Sequence, residues 1–353
     1  MKNKTVFQHS RPELGESEVR AAARVIRSGK IASGDVVRDF ESRFSGYLGV
    51  KGAVAVNSGT SALHLALKVL GTGPGDEVIL PSFVCPALLN AIYMSGASPV
   101  IVDVNYPDFN ISPEAAKKRM TARTKCVIVP HMFGCPADLR ALINLGVPVI
   151  EDAAQSLGAV YGNNKVGSLG AISIFSFYAT KMMTTGEGGM LASNDRGLLK
   201  KMSDQREYDN KPGLWTPRFN YKMTDIQAAI GISQLSKIGR FIKQRDSIAG
   251  IYDGIFSGSG PDIPVSDLSG RRVYYRYVLK IKGDVERAIK KAGQRGIICA
   301  RPVYKPLNRY LGLGARDFGN SEKLFGAALS IPVYPGLSDL DAVKIGEAVR
   351  AIL

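Results

Sequence analysis

Between residues 54 and 154 the chain alternates short, unbroken apolar runs with helical stretches, and this alternation restricts the fold more than any other feature. VAVN (54–57), EVILP (77–81), PVIVDV (99–104), KCVIVPH (125–131) and PVIEDAA (148–154) carry β-branched residues without a polar alternation. A strand that is apolar on both sides must be covered on both sides, as in parallel sheets. The intervening segments have helical periodicity. They are GTSALHLALKVLG (59–71), PALLNAIYMSG (86–96, opening with Pro86 in the favoured first-turn position), SPEAAKKRM (112–120, with a Ser cap) and a stretch near 137–144. AISIFSF (171–177) and GGMLASN (188–194) extend the strand series. The expected architecture is α/β, with a large, mostly parallel sheet sandwiched by helices. Glu16–Arg27 and Val36–Tyr47 read as amphipathic helices ahead of it, and Asp225–Asp246 as a long helix leaving it. The rest, with the strand YYRYVLKI (274–281), reads as a smaller α/β unit. The expected division is a large domain over 1–240, including the N-terminal helical segment, and a small domain over 241–353.

At 353 residues the chain is long enough for two domains. It has no apolar run of about 18 residues, so no membrane span is expected, and no secretory-type stretch opens it. Cys85, Cys126, Cys135 and Cys299 are scattered without metal-ligand spacing, which fits thiols in a reducing cytoplasm and no metal site. Lys and Arg total 46 against 31 acids, a net charge of +15, which favours anionic partners. The basic residues are dispersed, without a long arm or interleaved aromatics. This speaks for a small anionic ligand, or for a basic surface of no particular function, rather than for nucleic acid.

Ligands of α/β sheets bind beyond the carboxyl ends of strands, and three polar groups stand at such ends. NSGTSALHLAL (57–67) leaves a strand through Gly59 and starts a helix near Thr60. That exposes free N–H groups to an anion, or is simply a capped helix. VIEDAAQSLGA (149–159) places Glu151 and Asp152 after a buried strand. One must face inward and needs a cation, a protonated ring nitrogen or backbone donors. SFYATKMMTTGEGG (176–189) holds Ser176 and Lys181. Lys181 reads as a solvated charge, a phosphate clamp or a nucleophile; the loop does not match a nucleotide P-loop. Together, an anion site, an inward carboxylate and a lysine meet the needs of pyridoxal 5′-phosphate, PLP.

The motifs, in order, resemble those of the DegT/StrS family of nucleotide-sugar aminotransferases, PLP enzymes of fold type I. SGKIASGDVVRDFE (28–41), NSGTSALHLAL, PVIVDV, VPHMFG (129–134), EDAAQSLGA (151–159), FSFYATK with TTGEGG (175–189), FNYKMTDIQAAIGISQL (219–235) and LSIPVYPGLS (329–338) carry the resemblance over nearly the whole chain. It implies that Lys181 is the Schiff-base lysine and Asp152 the partner of the cofactor's ring nitrogen. It implies further that Gln155 packs near the ring hydroxyl, that Ser176, Gly59 and Thr60 bind the phosphate, and that Asn220 reaches the cofactor phosphate of a second subunit, so that the working unit is a homodimer. The implied reaction moves an amino group from a donor such as glutamate to a keto-sugar of a nucleotide diphosphate, with Lys181 carrying the proton. Amination of a free cyclitol or other ketone, or an idle PLP-binding regulator, are the alternatives. A dehydrating relative has histidine where Lys181 stands.

The sequence also departs from the family pattern. Cys85 aligns where many members stack an aromatic ring on the cofactor, and Phe83 is two residues away. In RPVYKPLNRY (301–310), Val303 and Asn308 replace two histidines, and Arg218 and Lys222 replace a Gly and an Arg around Asn220. All four are expected near substrate. Tyr178 and Thr185 flank the lysine and are candidates for touching substrate. His64 is expected to pack, His131 to lie near the cofactor edge, and His9 to be incidental.

Overall fold

The computed structural model describes residues 6–209, 215–257, 262 and 270–353. In chain order the strands are β1 (Gly52–Val56), β2 (Glu77–Pro81), β3 (Ser98–Val102), β4 (Thr124–Pro130), β5 (Val149–Asp152), β6 (Val160–Tyr161), β7 (Asn164–Lys165), β8 (Ile172–Ser176), β9 (Gly189–Ser193), β10 (Gly270–Arg271), β11 (Tyr277–Lys280) and β12 (Ala328–Ile331). Seven of them form the central sheet in the order β1-β9-β8-β5-β4-β2-β3. Its pairings are parallel except those of β9, which is antiparallel to both neighbours.

That one reversal shapes the site. Because β9 runs against β1 and β8, these two run in the same direction as β5, and their carboxyl ends share one edge. Gly189 pairs with Val56 on one side and with Ser176 on the other. The ends of β1 and β8 are therefore held two strand spacings apart, roughly 10 Å. Asp152 pairs with Ile174 and ends β5 beside them.

Helices cover both faces. α1 (Glu16–Ser28) starts with a reciprocal bond between the Gly15 N–H and the Glu18 carboxylate, and stops at Gly29 in the left-handed region (φ 74°). α2 (Asp35–Leu48) buries Val37, Phe40, Phe44 and Leu48 against β1 and β9 residues. α3 (Gly59–Val69) packs Leu63, Leu65, Leu67 and Val69 on the other face. Each such side chain contributes roughly 1.5–3 kcal/mol of burial free energy.

The helix expected to end near 246 continues to Phe256. Its extra turns bury Ile248, Ala249, Tyr252 and Phe256 in a separate cluster with β11, β12 and the C-terminal helix Asp339–Arg350. That second packing partner sustains the helix past the sheet. The strand expected from residue 274 begins only at Tyr277. Arg245, fully buried on the long helix, draws off the carbonyl oxygens of Tyr274 and Tyr275, so these residues leave the ladder. The N-terminal segment crosses to the smaller unit, where Phe7 bridges to Ile297.

Candidate active site

A cavity of about 260 Å³ opens at the shared strand edge. Ser58, Gly59, Thr60, Cys85, Asp152, Ala154, Ser176, Tyr178, Lys181 and Glu187 are among its lining. Six of the eight residues expected at a cofactor site are thus brought together; Gln155 and Asn220 are not part of the lining.

The α3 end is built for close approach. Ser58 caps the helix by accepting the Ser61 N–H at 3.0 Å. The N–H groups of Gly59 and Thr60, in the first turn, have no acceptor within the helix. A Cβ on Gly59 would lie 2.8 Å from the Ser176 Cβ and 3.1 Å from its Oγ. A Cβ on Gly189 would lie 2.5 Å from the Ser58 carbonyl oxygen. Two glycines therefore let the helix start and the Ser176 hydroxyl converge on one small volume, a cradle suited to phosphate.

The paired carboxylates divide by face. Glu151 is fully buried away from the cavity and accepts N–H bonds from Gly167 (2.7 Å), Leu169 (2.8 Å) and Gly170. His131 Nε2 lies 3.3 Å from its carboxylate, while Nδ1 accepts the Ala137 N–H at 3.0 Å. This pattern assigns the imidazole proton to Nε2. Burial would raise the Glu151 pKa, but His131 and the Gly170 and Gly167 N–H groups reverse that and hold it below the ordinary range. Asp152 faces the cavity. Burial pushes its carboxyl above the usual range, against the pull of the Ala154 N–H at 3.0 Å and of Lys181 and His131. His131 thus supports the site through Glu151 and does not line the cavity. Gln155 fixes its side-chain oxygen on the Phe133 N–H at 3.0 Å.

Lys181 sits in the loop between β8 and β9, its N–H bonded to the Tyr178 carbonyl at 2.9 Å. Its Nζ lies 5.0 Å from the centroid of the Tyr275 ring. The loop is stapled internally. The Thr184 hydroxyl donates to the Phe177 carbonyl (3.0 Å), the Thr185 hydroxyl to the Glu187 carbonyl (2.6 Å), and Gln227 Nε2 to that same carbonyl (2.9 Å). Thr185 is buried and its hydroxyl is already used within the loop. Tyr178 is exposed at the cavity.

Some of the other expectations hold and some do not. Val303 and Asn308 point into the interior. Val303 joins the main core, and Asn308 bonds Ser82 (2.6 Å) and Glu322 (2.8 Å). Arg218 pairs with Asp204 at 3.1 Å and Lys222 with Asp209 at 3.2 Å, so each cation already has an acid. Phe83 is buried against Phe109 and leaves the wall to Cys85, whose thiol pKa is raised by the surrounding protein. His64 packs on Phe219 and bonds Tyr221 at 2.9 Å. His9 is not incidental: it bonds Ser330 at 2.8 Å and meets Arg276 at 2.7 Å. Asn220 presents an exposed side chain, and its carbonyl accepts from Asn57 at 3.3 Å. Glu187 and Ser58, within the quoted motifs, had no role assigned from sequence. Tyr275, in no motif, was missed because its place depends on Arg245, remote in sequence.

An amine, a buried carboxylate and a phosphate cradle at one edge of a mostly parallel sheet define an enzyme of amino-group chemistry on PLP. The profile of the DegT/DnrJ/EryC1/StrS aminotransferase family matches residues 12–350. A GDP-perosamine synthase of Caulobacter vibrioides is 36% identical over 337 residues, covering 91% of each chain. The solved aminotransferase TlmJ of Streptoalloteichus hindustanus superposes with a TM-score of 0.93 at 30% identity, covering 98% of both chains. Spr1654 of Streptococcus pneumoniae, assigned as a sugar aminotransferase and solved in its PLP form, superposes at 0.91 with 26% identity, covering 99% of this chain and 100% of its own. The chain belongs to the DegT/DnrJ/EryC1/StrS aminotransferase family and is a PLP-dependent aminotransferase.

Proposed function

We propose that the enzyme transfers an amino group from glutamate to a keto-sugar carried on a nucleotide diphosphate. The carrying observation is the single cavity that joins Lys181, Asp152 and the Ser58–Gly59–Thr60–Ser176 cradle. The printed function of the Caulobacter relative supports a nucleotide-linked keto-sugar as acceptor, and the net charge of +15 suits so anionic a substrate.

The residues fit PLP. The Gly59 and Thr60 N–H groups and the Ser176 hydroxyl would hold its phosphate, and Asp152 would pair with its ring nitrogen. Gln155, with its oxygen anchored on Phe133, would offer its NH₂ to the ring hydroxyl. Cys85 would border the ring where other members place an aromatic. When bound, PLP supplies an electron sink that makes the donor's α-proton removable. The chain's own task is to hold that cofactor and to move the proton. The Lys181 Nζ, once free of the cofactor, takes and returns it. Burial raises the Asp152 carboxyl's pKa, and a cationic ring nitrogen beside it would favour the charged form.

The same reading makes the working unit a homodimer, with the exposed Asn220 side chain reaching a second subunit's phosphate. It places the enzyme in the cytoplasm, where PLP, glutamate and nucleotide sugars meet; the absence of a disulfide supports this. Among the described residues no helix is long and apolar enough to cross a membrane.

The test is Lys181→Ala combined with a screen of nucleotide keto-sugars using glutamate as donor. The variant should lose turnover while still binding pyridoxamine phosphate, and borohydride should fix PLP on Lys181 only in the parent. A variant that turns over, or PLP fixed at another lysine, refutes the assignment.

A further inference from the structure

Tyr275 does not line the cavity, yet it contacts the lysine loop at two points. Its ring lies under Lys181 Nζ, 5.0 Å from the centroid, within cation–π range. Its hydroxyl bonds the side chain of Thr180, the residue before Lys181, and receives Arg276 Nη2 at 3.4 Å. The Arg276 guanidinium stands 4.8 Å from the same ring, and its Nη1 meets His9 Nδ1 at 2.7 Å. Behind the ring, Arg245 donates to the carbonyl oxygens of Tyr274 (3.1 Å), Tyr275 (3.4 Å) and Val333 (2.8 Å).

The charged groups facing Tyr275 are thus Lys181 from the loop, Arg276 from its own segment and Arg245 from the long helix. All three are cations. No ion pair joins either arginine to a carboxylate among the described residues. Burial lowers the Arg245 pKa to about 10, with Tyr275 opposing that fall. A buried guanidinium without a carboxylate is costly, and at Arg245 the carbonyl oxygens of Tyr274, Tyr275 and Val333 offset it. Arg245 holds the Tyr275 carbonyl, Arg276 and Thr180 bond its hydroxyl, and Lys181 stands over its face, so backbone, hydroxyl and ring are fixed together.

Resting on the PLP reading above, we propose that Tyr275 is a positioning residue for Lys181: its face holds the amine at the cavity wall, and its hydroxyl ties down the preceding residue. Each time Lys181 is displaced by a donor amine, it then waits within reach of the atom it must serve. The hydroxyl is also tuned. Burial raises its pKa, but Lys181, Arg276 and the bonds from Thr180 and Arg276 bring it down to about 8. Above that pH the phenol oxygen, bonded to Thr180 beside Lys181, would carry a negative charge.

Tyr275→Phe keeps the face and removes the hydroxyl, while Tyr275→Leu removes both. The full-length holoenzyme of each is titrated between pH 6 and 10 by its cofactor absorbance, without substrate. The midpoint of Tyr275→Phe should move away from that of the parent, because the phenol charge beside Lys181 is gone. Glutamate is then added in a single turnover. Tyr275→Leu should slow the limiting rate by about 5–30-fold, the worth of a desolvated cation–π contact, with half-saturation by glutamate within about twofold. Tyr275→Phe should lose the alkaline fall of that rate near pH 8. An unmoved midpoint in Tyr275→Phe overturns the proposal. So does a limiting rate like the parent's in a Tyr275→Leu variant whose only defect is a lower Tm. If Tyr275→Leu does not fold, the Tyr275→Phe titration decides alone. That titration needs no substrate, so its outcome is separate from whether the acceptor has been named correctly.

Discussion

Gly59→Ala should leave the fold nearly intact and empty the cofactor site. The added Cβ would sit 2.8 Å from the Ser176 Cβ, 3.1 Å from its Oγ and 3.4 Å from its Cα, so β8 and the helix start must move apart by some tenths of an ångström. Overpacking of this kind costs about 1–3 kcal/mol. Against it stands the helix preference for Ala over Gly, about 0.8–1 kcal/mol in an interior position and less at the first turn. The net loss of stability is therefore about 0–3 kcal/mol, a shift in Tm of a few degrees. The cofactor bears more. The variant pushes the Ser176 hydroxyl off the point where it and the Gly59 and Thr60 N–H groups converge. Losing one hydrogen bond to a charged group is worth about 1.5–3 kcal/mol, or about 10–150-fold in affinity. The assay is a fluorescence titration of the apo-protein with PLP, set beside melting curves of apo and PLP-loaded samples. The parent should gain much more Tm from PLP than the variant does. A folded Gly59→Ala protein that binds PLP within about twofold of the parent would refute the phosphate cradle.

Asp152→Asn should abolish turnover yet leave the apo-protein at least as stable at neutral pH. The native carboxyl is raised by burial, so its contribution is greatest below its unfolded pKa and is lost as pH rises through the folded one; melting of the apo-form at pH 5 and pH 8 checks the sign. Glu151→Gln behaves oppositely. The native group is held low by His131 and backbone donors, so its stabilisation is present above the unfolded value near 4.5 and fades as pH falls below it. Losing the charge-assisted bonds to this buried carboxylate should cost about 1.5–3 kcal/mol at pH 7, read by urea denaturation, with a smaller loss at pH 4. His9 has its pKa lowered by burial, and further by Arg276, to about 3. Stability should therefore decline between pH 6.5 and about 3, because the unfolded chain binds the proton first, and His9→Gln should flatten that decline in melting curves.

The sheet, its mostly parallel sense and the clustering at its carboxyl edge were legible because β-branched runs and helical periodicity are local signals. Lys181, Ser176, Gly59 and the Glu151–Asp152 pair stood out by their position at strand ends, and the family resemblance singled out Asp152 of the pair. Strand position alone did not tell which carboxylate turns inward. Neighbours on a strand face opposite sides, and only Gly167, Leu169 and Gly170 folding over Glu151 show that Asp152 is the cavity residue. Val303 and Asn308 misled for a related reason. Their motif fixed the backbone path but not the direction of the side chains, which Ser82 and Glu322 decide from distant parts of the chain. Strand β11 started late, and the long helix ran on, because Arg245 and the second apolar cluster act across about 30 to 90 residues of sequence.

The Lys181 loop leaves the sheet at Ser176 and rejoins it at Gly189, and both ends are paired in the same row of the ladder. Lys181 is thereby a tethered amine. For the bound cofactor it competes with every dissolved amine at an effective concentration set by its tether, on the order of millimolar for a flexible loop. The hydroxyl staples of Thr184 and Thr185 shorten the reach and raise that concentration. A dissolved amine well below that concentration cannot displace it by mass action alone. A donor succeeds only through the extra binding energy of its own carboxylates and side chain. The tether of the loop between β8 and β9 thus sets a threshold that a donor must exceed by its own binding.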